Sequence, residues 1–255
     1  MAKKKQSLTP EEKLAQALVP KEQQPYELPK GWVWTRVKEI TTRIKRGRTP
    51  KYVEKSEVLV FAQKCNQKDG TINLDKAQYL NPDNISKYAP EEYLIDLDTV
   101  INSTGTGTLG RVGLYKEADN NTQLKVVPDT HVTIVRAKHH LNPFYMNYYL
   151  LSLKNYLEQQ GSGSTNQKEL KPDTIGNLLF PLPPLPEQQR IVARIESLFA
   201  KLDAAREKLQ QVLSAQEARR SAILHEAFTG WLTGRTDREK EWIVDSGEKG
   251  SQNPE

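Results

Sequence analysis

Residues 181–192 read PLPPLPEQQRIV, and this stretch decides how the chain is organised. Each proline fixes its own φ and biases the residue before it towards extended backbone, so residues 181–186 predict a stiff boundary. Residues 187–228 contain neither glycine nor proline. Pro186 suits the first turn of a helix and Gly230 suits the position just after its end. The sequence therefore predicts one helix of about 40 residues, about 60 Å long.

The predicted helix carries apolar residues along one face, at alternating intervals of four and three. These positions are Ile191, Ile195, Leu198, Leu202, Ala205, Leu209 and Val212. The spacing is that of a heptad seam sustained for three repeats, and it ends where the same frame meets Gln216 and Arg219. A long helix that is polar on its other faces is marginal in water, so we expect a partner helix to cover the seam. The alternative is a helix folded back on its own domain.

Upstream of the boundary, residues 28–183 consist of short β-rich runs broken by Gly, Pro, Asn and Asp. The candidate strands are Val58–Gln63, Thr99–Asn102, Val112–Tyr115 and His131–Val135. Residues 143–158 (PFYMNYYLLSLKNYLE) have large apolar side chains on most faces and predict a buried helix. The predicted fold class is therefore α/β, an irregular α+β domain at 28–183 followed by the long helix at 184–230.

The two ends of the chain are more polar. Residues 1–27 form a basic tail in which TPEE, at 9–12, predicts the start of a short helix to about Leu18, and residues 231–255 form a polar tail. Nothing approaches the ~20 apolar residues of a membrane helix, and the basic start lacks the apolar core of a signal peptide. The single Cys65 excludes an internal disulfide. We therefore expect a cytoplasmic protein without a membrane partner.

The charge balance permits a polyanionic partner, because 37 Lys and Arg outnumber 32 Asp and Glu and give a net charge of +5. The most basic segment, residues 43–55, has six positive residues and one negative residue, Glu54. Such a cluster on a glycine-containing loop can neutralise phosphates or reach a guanine edge. The alternative is a merely solvated run of charge.

Two further loops have polar groups that suit a nucleic acid. Residues 105–110 (GTGTLG) spell a dinucleotide-binding fingerprint, but the next residues alternate like a strand and Gly113 would interrupt the required helix. We interpret 103–110 as a tight, hydroxyl-rich loop between strands. Residues 161–168 (GSGSTNQK) contain amides that can pair with adenine, although a flexible connector has the same composition.

The residues that we predict to contact DNA share cationic, hydroxyl or amide side chains that we expect to be exposed on these loops and on the loop at 64–68. They are Arg43, Lys45, Arg46, Arg48, Lys51, Lys64, Asn66, Lys68, Thr104, Thr106, Arg111, Ser162, Ser164, Thr165, Asn166, Gln167 and Lys168.

A catalytic site is not predicted. Two nuclease-like fragments occur, at 128–129 (PD) and 169–171 (ELK), but the second lies between polar residues and Pro172, where a central strand is unfavourable. The four histidines have no metal-ligand spacing, and Cys65 has no obvious base near it. The methyltransferase signature Asn/Asp-Pro-Pro-aromatic is absent, since residues 81–84 read NPDN.

Several motifs together resemble, in their order, one target recognition domain of the specificity (S) subunits of type I restriction-modification systems. They are LPKGWVW at 28–34, GRTP at 47–50, DGTI at 69–72, residues 102–113, PDTHVTI at 128–134 and GSTNQ at 163–167. The stretch at 181–192 strongly resembles the start of the family's spacer helix. Each motif alone is weak, but their order and the proline-to-EQQRIV junction make the resemblance specific.

The resemblance implies a non-catalytic protein that selects a double-stranded DNA site for separate methyltransferase (M) and restriction (R) subunits. Those subunits would bind S-adenosylmethionine, ATP and Mg²⁺, and this chain would bind no cofactor. In relatives with two recognition domains, two spacer helices pack as an antiparallel coiled coil. The resemblance therefore implies a homodimer joined through Ile191, Ile195, Leu198, Leu202, Leu209 and Val212.

This chain departs from the usual family pattern, because it has one recognition domain and one spacer helix. We expect either a natural half subunit or a longer gene cut short. Two other functions stay open at this point. One is a stand-alone homodimeric DNA-binding regulator, and the other is a nuclease.

Overall fold

The computed structural model describes residues 16–162 and 168–233. The strands in these ranges are β1 Val33–Arg36, β2 Thr41–Arg46, β3 Tyr52–Val53, β4 Val58–Phe61, β5 Gln78–Leu80, β6 Thr99–Asn102, β7 Val112–Leu114, β8 Lys125–Pro128, β9 Val132–Ala137 and β10 Leu179–Leu182. The helices are α1 Pro143–Ser152, α2 Lys154–Gln159, α3 Pro172–Gly176 and α4 Leu185–Phe228. This mixture of short strands and helices, ending in one long helix, confirms the predicted fold class.

The strands form three sheets. The central sheet has the order β2-β9-β6-β7 and is antiparallel, and the second sheet has the order β3-β5-β4-β8 with β4 and β8 parallel. The two-stranded β1-β10 sheet joins the start of the domain to the strand that leads into α4. Both faces of the central sheet are buried, since Ile101 and Val135 pack with the helices while Val100 and Ile134 pack with the second sheet.

The predicted helix at 143–158 is wrong as a single helix. Leu153 adopts φ −88° and ψ 7°, so the helical path breaks there into α1 and α2. The break accommodates burial of both Leu150 in α1 and Leu157 in α2, each 0% exposed. The prediction that this stretch is buried is confirmed for its core-facing side chains, which include Met146.

Three of the candidate strands have slightly different ends. The predicted strand Val58–Gln63 stops at Phe61 because residues 63–65 form a 3-10 turn, and Val112–Tyr115 stops at Leu114. The last strand begins one residue later than predicted, because the backbone N–H of His131 donates to Asp129 Oδ1 at 2.8 Å in a turn.

The start of α4 is fixed by a buried glutamine. Gln188 is 1% exposed, its Nε2 donates to the carbonyl of Pro183 at 2.9 Å, and its Oε1 accepts from the backbone N–H of Asn142 at 2.8 Å. The helix then continues for 44 residues from Leu185 and is followed by Gly230 with φ +83°. Contacts among the described residues separate two compact units, and the boundary between them lies within this helix, after Ala193. None of the described helices has the length and apolar character that a bilayer-spanning segment requires.

Candidate nucleic-acid interface

Strand ends from two sheets meet at one edge of the domain. Arg46 at the end of β2 lies opposite Thr133 near the start of β9, and Asn102 at the end of β6 lies opposite Val132. Parallel strands β4 and β8 of the second sheet end there side by side. The connections that leave these strands therefore lie together, and we call residues 46–51, 63–68, 103–111, 129–131, 161–162 and 168–170 the loop edge.

The loops at 63–68 and 103–111 are joined by side-chain hydrogen bonds. Thr108 Oγ1 donates to Gln63 Oε1 at 2.9 Å, and Asn102 Nδ2 donates to the carbonyl of Gln63 at 3.0 Å. Gly105 has φ +102°, and a Cβ there would lie 2.3 Å from Gln63 Oε1. The sequence 105–110 thus forms the tight loop between β6 and β7 that was predicted, and its glycine is needed for the close approach.

The described part of the 161–170 loop is fixed by main-chain bonds. The N–H of Leu170 donates to the carbonyl of Ser103 at 2.8 Å, and Ser162 and Glu169 exchange N–H to carbonyl bonds at 3.0 and 2.8 Å. The N–H of Gly161, the first residue of the loop, donates to the carbonyl of Glu158 at 3.4 Å. The predicted contacts Ser164, Thr165, Asn166 and Gln167 lie outside the described residues.

The arginines predicted to contact DNA are largely engaged within the domain. Arg46 Nη1 pairs with Glu169 Oε1 at 2.7 Å, and its Nη2 donates to the carbonyls of Ser103 and Leu170 at 3.2 and 2.9 Å. Arg111 is half-buried and donates to the carbonyls of Asn66 and Gly107 at 3.2 and 3.0 Å. These two side chains connect loops to one another.

Two further arginines lie beside Glu92. Arg48 Nε and Nη2 donate to Glu92 Oε1 and Oε2 at 2.7 and 2.9 Å, and this hydrogen bonding lowers the pKa of Glu92. Arg43 is half-buried in β2, and burial lowers the pKa of its guanidinium while the charge of Glu92 acts in the opposite direction.

The lysines of the predicted site have a different environment from the arginines. All of them are exposed, and in the part of the chain that the structure describes none is in an ion pair. They are Lys45, Lys51, Lys64, Lys68 and Lys168. Long exposed ammonium groups can follow a phosphate backbone without a fixed geometry, so this set supplies positive charge that is free to meet DNA.

The polar predicted residues divide into exposed and buried ones. Thr106 and Ser162 are exposed, and Thr104 is half-buried with its Oγ1 2.6 Å from His131 Nδ1. The expectation that Asn66 is exposed is wrong. Its side chain is 0% exposed, and its Nδ2 donates to the carbonyls of Val100 and Arg111 at 3.3 and 3.0 Å, so it anchors the 63–68 loop from inside.

Sequence reasoning missed two residues of the loop edge. His131 is exposed, with its backbone N–H held by Asp129 and its ring held by Thr104. Gln63 accepts from Thr108 and lies under Gly105. The motif PDTHVTI already contained His131, but only the pairing of β6 with β9 brings it to Thr104. Across the described ranges, no three His, Cys, Asp or Glu side chains lie close enough together to hold a metal ion.

The predicted seam changes in exposure along α4. Ile191 and Ile195 are half-buried, whereas the later seam side chains are exposed by 43% to 65%. Those exposed side chains are Leu198, Leu202, Leu209 and Val212. An apolar row of this length is of the kind that proteins cover.

Comparison with known proteins assigns the chain to a family. A family model described as the type I restriction modification DNA specificity domain matches residues 29–214, which is more than half of the chain. The chain belongs to this specificity family. The matched residues include the mixed α and β unit that bears the loop edge and the first part of α4.

Two curated proteins of similar sequence are specificity subunits of type I restriction enzymes. The chain is 27% identical over 192 residues to the EcoBI specificity subunit of Escherichia coli, covering 72% of this chain and 37% of that protein. It is 24% identical over 214 residues to the StySPI specificity subunit of Salmonella potsdam, covering 81% and 44%. The chain thus spans less than half the length of these curated relatives.

The structural likeness concerns the fold alone. The HsdS subunit from Thermoanaerobacter tengcongensis matches with a TM-score of 0.58 and 22% identity, covering 86% of this chain and 49% of that one. A chain from a structural study of assembly and conformational transition in a type I R-M system matches with a TM-score of 0.64 and 23% identity, covering 86% and 50%.

Proposed function

We propose that this chain is the non-catalytic, DNA-reading subunit of a type I restriction-modification complex, and that it directs M and R subunits to a specific double-stranded site. The observation that carries the proposal is the convergence of several loops at one edge of a specificity-family domain, with exposed lysines that form no ion pair with any described residue. The lysines would neutralise phosphates, while hydroxyl and amide groups on the same loops would meet base edges. S-adenosylmethionine, ATP and Mg²⁺ would be bound by the partner subunits and would supply the chemistry there.

The exposed seam of α4 supports a homodimer. Leu202 and Leu209 are each 65% exposed, and a second copy could cover them by packing its own seam in the antiparallel direction about a two-fold axis. Such a dimer presents the same loop edge twice, in opposite orientations. We therefore infer that the site is bipartite, an inverted repeat whose two halves are separated by an unread gap.

The test is to co-express the tagged chain with type I methyltransferase subunits of its source organism, in a host without other methylation of this type. We expect the two to co-purify, and sequencing of methylated host DNA to give one bipartite motif with two-fold symmetry. A chain that binds DNA as a dimer, but neither retains the methyltransferase nor supports methylation, would be a stand-alone regulator. Cleavage of DNA by the purified chain with Mg²⁺ would instead indicate a nuclease.

A further inference from the structure

The ion pair between Arg48 and Glu92 is built more rigidly than a surface pair. The Glu92 side chain is only 13% exposed, and both of its oxygens accept hydrogen bonds from Arg48. Its Oε2 also accepts from the backbone N–H of Ala89 at 2.9 Å. The Arg48 guanidinium also lies over the ring of Tyr88, with Cζ 5.8 Å from the ring centroid. An arginine held by a fixed carboxylate and an aromatic ring loses little further freedom when it binds.

The pair leaves one edge of the guanidinium available. Arg48 uses Nε and one N–H of Nη2 for Glu92, and no described residue accepts a hydrogen bond from its Nη1. The side chain is 54% exposed. A guanidinium has five N–H donors in a planar fork, so the Nη1 and Nη2 edge of Arg48 can still donate to two acceptors, such as O6 and N7 of guanine.

Arg46, which also lies at the loop edge, is an example of an arginine with a purely structural role. Its Nη1 is taken by Glu169 and its Nη2 by two carbonyls, and its side chain is only 20% exposed. Arg48 has one carboxylate partner instead and stays open on its other edge.

Charge decides which DNA group suits the Arg48 pair. Phosphate binding depends on net positive charge and the release of counterions, and a bidentate pair with a carboxylate has no net charge. Hydrogen bonds to a base edge depend on the fixed direction of donors, which the pair retains. The pairing therefore weakens attraction to DNA of any sequence and preserves the ability to read a base.

We propose that Glu92 is a positioning residue for sequence discrimination, which holds the free edge of Arg48 for a guanine and suppresses its binding to phosphates. The proposal rests on the DNA-reading function above. Arg48, which would contact the base, and Glu92, which would hold it, are 44 positions apart in the sequence.

The experiment compares E92Q with E91Q in the assembled complex with the methyltransferase. Both substitutions remove one formal negative charge. Glu91 is the exposed neighbour, and its carboxylate has no hydrogen-bond or ion-pair partner among the described residues. We expect E92Q to relax the methylated motif at one G·C pair of each half-site by roughly ten-fold in base preference. The salt slope is the slope of log affinity against log salt concentration. For a random-sequence duplex, the salt slope of E92Q should be steeper than that of E91Q by about one unit per copy of the chain.

A second variant, R48K, separates base reading from phosphate binding. Lysine keeps the charge and loses the fork, so we expect the same G·C pair to lose its preference while affinity for random DNA is unchanged or higher. Thermal unfolding of each variant shows whether the domain is folded. If R48K keeps the full motif, or if E92Q and E91Q give the same motif and the same salt slope, the assignment is wrong.

These outcomes are distinct from failure of the proposed function. If the wild-type complex methylates no specific motif, the DNA-reading function itself fails. If the wild-type complex has a clear motif that E92Q and R48K leave intact, only the role of Glu92 and Arg48 fails.

Discussion

Arg46 and Glu169 are far apart in the sequence but form an ion pair, with Nη1 and Oε1 2.7 Å apart. The same guanidinium donates to the carbonyls of Ser103 and Leu170. A cation of the most basic segment therefore links the end of β2 to the 103–111 and 161–170 loops. Its expected effect on DNA binding is indirect, through the positions of those loops.

Replacing Arg46 by alanine should destabilise the domain, whereas replacing its neighbour Lys45 should not. Arg46→Ala removes three polar contacts, and we expect a loss of about 2 kcal/mol in the free energy of unfolding. Lys45 is exposed, so Lys45→Ala should stay within about 0.5 kcal/mol of wild type and lower the salt slope of DNA binding by about one per copy. Urea unfolding and binding at several salt concentrations measure both. Equal stability of the two variants would contradict the structural role of Arg46.

The long helix could be predicted because its signals are local. Absence of glycine and proline over residues 187–228, with a heptad row, is enough to define α4. The glycine-rich loop at 105–110 could also be predicted from the sequence, since strand-like residues flank it. The break at Leu153 could not be predicted from the sequence, because neither glycine nor proline marks it. The packing of Leu150 and Leu157 decides where the helix breaks.

The candidate site was predicted as a region but not residue by residue. Whether a polar side chain faces solvent or the interior depends on partners far away in the sequence. Arg46 reaches a carbonyl 124 residues away, and Asn66 reaches carbonyls 34 and 45 residues away. Composition identified these residues as polar and basic, while the sheet topology decided that they stabilise the loops from within.

Gly105 and Gly107 should respond differently to alanine. Both have positive φ, +102° and +74°, so each substitution carries about 1 kcal/mol of backbone strain. Only at Gly105 would the new Cβ collide with other groups, Gln63 Oε1 and Thr108 Oγ1, whereas at Gly107 nothing lies within 4 Å. We therefore expect Gly105→Ala to be the more destabilising by about 1 kcal/mol and to weaken DNA binding. Thermal unfolding and DNA affinity in the complex measure this, and a larger effect at Gly107 would contradict the described loop.

Cys65 should be protected from alkylation in the folded protein. It is 0% exposed, and burial raises the pKa of its thiol to about 11, so about one thiol in a thousand is ionised at pH 8. As this is the chain's single cysteine, mass spectrometry reports its labelling directly. We expect iodoacetamide at pH 8 to label it slowly in buffer and rapidly in urea. Similar rates in both would mean that the 63–68 loop opens readily.

Gln188 and Gln189 offer a matched test of how the start of α4 is attached to the mixed α and β domain. Gln188→Ala leaves the carbonyl of Pro183 and the N–H of Asn142 without their partner, and we expect a loss of about 2 kcal/mol. Gln189 is exposed, so Gln189→Ala should change stability by less than about 0.5 kcal/mol. Chemical unfolding followed by tryptophan fluorescence compares the two. Equal effects would show that the buried glutamine does not fix the start of α4.

The proposed homodimer depends on the seam, and charge placed there should separate the copies. Ile195 and Leu202 lie seven residues apart in the heptad row, so Ile195→Asp with Leu202→Asp would bury two carboxylates per helix in an apolar contact. The matched control is Ala193→Asp with Ala200→Asp. These two exposed positions are also seven residues apart and lie about 200° around the helix from the seam, so they add the same charge on the opposite face.

Light scattering on the purified chain, alone and with the methyltransferase subunit, should therefore give a dimer for the wild type and for the control, and a monomer for the seam variant. Because each half-site alone offers only half of the contacts, the seam variant should also bind a two-fold symmetric site weakly while keeping its thermal stability in the recognition domain. A wild-type chain that is monomeric in both preparations, or a methylated motif without two-fold symmetry, would mean that another polypeptide covers the seam and supplies the second half of the reader.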